Sequence, residues 1–192
     1  MPLFPGIFAS AISGHLTPAD AGSYFPISNF TLASAQANID ITNIPQTYKH
    51  LQLRVFGRTT RATNGDAILL EFNGDSNNNY YSTHYIYGNG TSAAAGADGV
   101  NSRSAVYRVG AANSATNIFG TIIIDILDYT SLNKNKTIRS LGGFENNSAG
   151  EVWLCSSLWF PNTIQAINRI KITPSTLTNF IAPTSAALYG VL

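Results

Sequence analysis

The chain has 192 residues, of which 44% are hydrophobic and only 11% charged, with 11 basic and 10 acidic side chains for a formal net charge of +1. That length suits one good core or at most two small ones, and a charged share well below the usual value of about 25% leaves a polar, nearly neutral surface suited to touching other surfaces. The few charges are scattered along the chain, which excludes the basic stripe that a nucleic-acid groove needs.

Residues 1–28 read as an extended N-terminal arm. Leu3, Phe4, Ile7, Phe8 and Ile12 stand on a backbone punctuated by Pro2, Pro5 and Gly6, without a strand or helix pattern. The segment lacks a basic leading region and is too interrupted for the roughly 20 apolar residues of a membrane span. The expectation is a protein that works without its own export signal and without membrane contact. An exposed segment of this apolarity is a liability unless it docks, on its own domain or on a neighbouring subunit. These five side chains are the candidate partner-binding residues.

Residues 29–192 follow period 2. In 49–58, Leu51, Leu53 and Val55 alternate with His50, Gln52, Arg54 and Phe56; in 66–72, Ile68, Leu70 and Phe72 share one face; in 117–128, Ile122, Ile124 and Ile126 do. KTIRSLGGF, EVWLCSSLWF, INRIKIT (167–173) and SAALYGVL continue the series, and successive side chains on a strand point to opposite faces. Between them, TRATNGD, NGDSNNN, GNGTSAAAGADG, TSLNKN, NNSAG and TPSTLTN carry the Gly and Asn of tight connections. Eight or more short strands spaced in this way predict an all-β protein, a single antiparallel jelly-roll-like β-sandwich. Its predicted core contains Leu51, Leu53, Val55, Ile68, Leu70, Phe72, Ile122, Ile124, Ile126, Leu158 and Ile170.

The stretch FNGDSNNNYYSTHYIYGNG (72–90) holds the candidate recognition residues. Asn73, Asp75, Asn77 and Asn79 have the alternate spacing of a calcium loop, but such a loop needs more than one carboxylate, Gly at its sixth position and Glu at its twelfth. Asp75 is the lone acid here and the sixth position is Asn78, so a polar connection between strands is the expectation, with no metal. Tyr80, Tyr81, Tyr85 and Tyr87 are a possible surface for a sugar ring or a protein partner. Tyr81, Thr83, Tyr85 and Tyr87 share one face of a strand at 79–87 and Tyr80, Ser82, His84 and Ile86 the other, and either row can be the core.

Catalytic readings find little support. Glu71, Glu145 and Glu151 are the only glutamates, and the latter two flank a short NNSAG turn as solvated hairpin ends. His15, His50 and His84 are too dispersed for a zinc site, and no nucleophile elbow, phosphate loop or Cys–His pair appears. Cys155 lies in an apolar run and reads as a small buried hydrophobe. Arg54, Arg58 and Arg61 form one basic ridge and Arg103 with Arg108 a second, expected to balance Glu71 and Asp66 across strands. No catalytic residue, cofactor or metal is assigned.

Taken together, ASAISGHL (9–16), NIPQTYKHLQLRVFGRT (43–59), FNGDSNNNY (72–80), YGNG (87–90), DYTSLNKNKTIRSLGG (128–143) and the closing SAALYGV resemble small jelly-roll virion structural proteins of tailed bacteriophages, cyanophages included. The resemblance implies a virion component assembled in the host bacterial cytoplasm, a homo-oligomer (a trimer), and a capsid cement or decoration protein whose partner is the major capsid protein or another virion protein. It equally admits a head- or tail-fibre protein that contacts host glycans. The absence of heptads, collagen repeats or β-helix periods, which a fibre shaft would need, favours cement.

Overall fold

The computed structural model describes residues 23–77, 80–145, 150–175 and 178–192. Among these residues twelve strands follow one another: β1 (Tyr24–Thr31), β2 (Ile39–Ile41), β3 (His50–Gly57), β4 (Gly65–Phe72), β5 (Tyr81–Asn89), β6 (Ser92–Asn101), β7 (Ser104–Gly110), β8 (Gly120–Ile126), β9 (Lys136–Glu145), β10 (Gly150–Trp159), β11 (Ile170–Pro174) and β12 (Ser185–Val191). They form an antiparallel all-β sandwich with no helix among the described residues. Accordingly, no helix among the described residues is long and apolar enough to cross a membrane.

The larger sheet has the order β1-β12-β3-β8-β9-β10-β5-β6 and the smaller β2-β11-β4-β7. With the β5–β6 and β9–β10 hairpins set aside, eight strands pair as nested partners. The first pairs with the last (β1 with β12), β2 with β11, β3 with β8, and β4 with β7. The chain thus behaves as one long ribbon folded back on itself and rolled up, and the two remaining hairpins widen one sheet by four strands.

Period 2 in the sequence becomes inside and outside in the fold. Leu51, Leu53 and Val55 of β3, Ile68, Leu70 and Phe72 of β4, and Ile122, Ile124 and Ile126 of β8 all enter the main core with Ile170. Leu158 does not: it points outward on β10, and Trp153, Cys155, Ser157 and Trp159 are the inward residues of that strand. Four strands were not anticipated, among them β2 and β7, which fall in stretches where no strand was read. The Ala- and Gly-rich stretch read as a connection is the edge strand β6, and residues 24–28, assigned to the arm, lie in β1, which pairs along β12.

The widened half of the large sheet curls around β7. Val106 and Val109 of β7 face the main core, while Ala105 and Tyr107 face a second cluster with Trp153 and Cys155, packed by Ala67, Leu69, Tyr85 and Tyr87. Trp153 is the centre of that cluster, stacked between Tyr87 and Tyr107 with both ring centroids at 4.3 Å. Its Nε1 donates to Glu151, and the Arg108 guanidinium lies over its ring. Stacked aromatics of this kind add to the burial of their area. The tyrosine ring of Tyr48 lies flat on Gly190, where a Cβ would collide with it.

Candidate functional site

The arm residues Leu3, Phe4, Ile7, Phe8 and Ile12 lie outside the described residues, as do His15 and Asn79. The tyrosines are placed: Tyr81 is buried and Tyr80, Tyr85 and Tyr87 are half-buried. Tyr81 is fully buried; its hydroxyl accepts from the Phe72 amide at 2.9 Å and donates to the Asp75 carbonyl. Burial pushes its phenol above the ordinary range. Tyr85 and Tyr87 pack into the second cluster and Tyr80 against the main core. Of the two rows, the odd-numbered one is the core row.

The polar ladder of 73–77 is spent on structure. Asn73, at positive φ, accepts from the amides of Asn168 and Arg169 and donates to the Ala166 carbonyl, tying the β4–β5 connection to the segment before β11. One Asp75 oxygen accepts from Asn77 and the other from Trp159 Nε1 at 2.9 Å. Among the described residues no group of three or more His, Cys, Asp or Glu is arranged to hold a metal ion.

The basic ridges also resolve into internal pairings. Arg58 is buried and donates to the carbonyls of Ala112, Ser114, Ala115 and Ile118, organising the β7–β8 connection. Arg61 pairs with buried Asp66, which also accepts from Thr59, Ser175 and Thr178. Arg103, just before β7, and Lys171 on the neighbouring β11 clamp buried Glu71 at 2.8 and 2.6 Å. Arg108 pairs with Glu151, and Arg54 lies between the rings of Tyr24 and Tyr189. Cys155 is a buried free thiol, pushed up to about 11 by desolvation.

What remains open is the outer face of the large sheet. Ala95, Ile86, Leu154, Leu141 and Ile123 stand opposite one another in register across β6, β5, β10, β9 and β8. Of these, Ile86 is 57% exposed, Leu154 54%, Leu141 53% and Ile123 42%. Phe56, Val100, Val152 and Leu158 are exposed on the same face. Its charged residues are few: Arg139 opposes Asp125 directly, Arg54 follows Ile123 in the apolar row, and Glu145 is exposed at the end of β9. Shallow depressions run along the row, one bordered by His84, Ile86, Arg139 and Leu154. Isolated exposed apolar side chains are ordinary, but a contiguous apolar stripe rimmed by polar groups marks an interaction surface.

The stripe was missed in the sequence because EVWLCSSLWF is apolar at both parities, so neither row of β10 stands out. A second depression, polar in character, lies beside β11 and is lined by Asn38, Arg103, Lys171, Thr173 and Asn179. The Thr173 hydroxyl there is buried without a hydrogen-bond partner.

No family model, no curated protein and no solved structure matches the chain.

Proposed function

We propose that the protein is a bacteriophage virion structural protein, a capsid cement or decoration subunit that reinforces the shell by protein–protein contacts and catalyses nothing. The observation that carries this reading is the apolar stripe across five strands of a sandwich whose buried acids Asp66 and Glu71 are spent on internal ion pairs. The nested pairing of its eight framework strands is the wrapping expected of a jelly roll, which agrees with the sequence resemblance. In this reading the sandwich self-associates, and Leu3, Phe4, Ile7, Phe8 and Ile12 attach the arm to the major capsid protein or another virion protein.

Deleting residues 1–16 tests the tether. The expected result is a soluble sandwich with an unchanged thermal melt that no longer sediments with particles. A sharply lowered melting temperature, or undiminished sedimentation, refutes it. A receptor-binding fibre role is the second reading, supported by the polar depression beside β11, whose amide, hydroxyl and cationic groups suit a sugar. Binding of the protein to host surface glycans, lost on Asn38→Ala, supports that reading instead.

A further inference from the structure

The geometry points to a second copy of this chain as the occupant of the apolar stripe, packed face to face about a twofold axis parallel to β10. This rests on the self-association in the reading above and names the surface that performs it. Three observations carry it.

The first is area. Covering the eight exposed large apolar side chains of this face removes on the order of 700 Å² per copy, close to the roughly 800 Å² per partner of a standard stable interface. The second is charge. With Arg139 set against Asp125 and a chain total of +1, the face offers no field that steers a strongly charged partner, and an identical face meets it without repulsion. The third is composition. The ladder holds no ionisable group over five adjacent strands, and interfaces between identical chains are the more apolar class. An isologous contact also requires a patch that is complementary to itself. An apolar row running across strands meets that requirement, because a twofold axis parallel to β10 over Leu154 lays the row on itself, with Arg54 beyond its end.

Leu154 lies at the middle of the ladder, and Leu132, 73% exposed in the β8–β9 connection, is an apolar residue away from it. The test is sedimentation of the full chain between about 1 and 100 µM, a span that brackets contacts of micromolar strength. The unmodified protein should dimerise. Leu154→Glu should weaken the dimer by about thirtyfold or more, as for a central interface residue, while the melt of the dissociated protein stays in place because the side chain is exposed in the monomer and only the concentration-dependent part contributed by association is lost. Leu132→Glu should do neither. Leu154→Cys should give a covalent dimer on oxidation, whereas the buried Cys155 alone should not.

A monomer throughout the range overturns the proposal. So does a dimer indifferent to Leu154→Glu, a dimer dissolved by Phe4→Glu/Phe8→Glu in the arm, or a threefold assembly. Particles play no part in this measurement. Dimers that depend on Leu154 but never sediment with particles would therefore defeat the virion reading and leave the assigned face standing, whereas a monomer that sediments with particles would do the reverse.

Discussion

Replacing Glu71 by Gln isolates one buried ion cluster whose contribution depends on pH in a defined direction. Glu71 is almost fully buried on β4, between Arg103 at 2.8 Å and Lys171 at 2.6 Å. Burial by itself would raise its carboxyl, but the hydrogen bonds and charges of Lys171 and Arg103 outweigh that and hold it below its ordinary value. Gln keeps the shape and one acceptor, and turns an amide N–H toward one of the two cations. Each charge-assisted hydrogen bond contributes about 1.5–3 kcal/mol, and both cations keep partial access to water, which cushions the loss of their partner. The expected cost is about 2–3 kcal/mol at pH 7, or roughly 5–10 °C in melting temperature for a chain of this size.

A carboxyl depressed by folding contributes stability that is fully present above its unfolded value of about 4.3 and disappears as pH falls through its lower folded value. The difference between the two proteins should therefore be constant from pH 7 to about 5 and should close at lower pH. Asp40, held down first of all by its hydrogen bond from Arg169 and least by the charge of Lys171, titrates in both proteins, so that all but its coupling through Lys171 cancels in the difference. Urea midpoints measured at half-unit pH steps give the curve. A Glu71→Gln protein as stable as the parent at pH 7, or a gap that persists undiminished at pH 2, would refute the assignment of Glu71 as a charged, clamped group.

Two further substitutions probe the packing. Leu53→Ala, at a fully buried position in β3, should cost about 2–5 kcal/mol, whereas Leu158→Ala on β10 should cost well under half as much, since its side chain is 37% exposed; equal urea midpoints for the two would contradict the outward placement of Leu158. Trp153→Ala removes the ring between Tyr87 and Tyr107 and should cost about 3–5 kcal/mol. Amide exchange should quicken in β5, β6 and β10 before it does in β3 and β8, and uniform acceleration would mean that the second cluster does not hold the widened half of the sheet.

Local physics written along the chain determined most of the strands and one core. In β3, β4 and β8 apolar residues occupy one parity and polar or mixed residues the other, so alternation alone places Leu51, Ile68 and Ile124 inside. The same rule was silent on β10, where Val152, Leu154 and Leu158 on one parity are as apolar as Trp153, Cys155 and Trp159 on the other. A period of two identifies faces but cannot rank two equally apolar faces.

The choice was made by the curl of the eight-stranded sheet around β7, a contact between segments some 50 residues apart that brings Tyr107 against Trp153. That contact turned the Tyr85 and Tyr87 row inward and made Tyr81 a core residue. It left Ile86, Leu154 and Leu141 as the open stripe. β6 escaped notice for a related reason: its Ala and Gly side chains carry almost no strand preference, and it is a strand because β5 offers its edge. Alternation is a property of neighbours in the chain, and it identified most, though not all, of the segments that are strands. Which apolar face stays in water is a property of the whole sheet's curvature, and only the assembled tertiary structure could decide it.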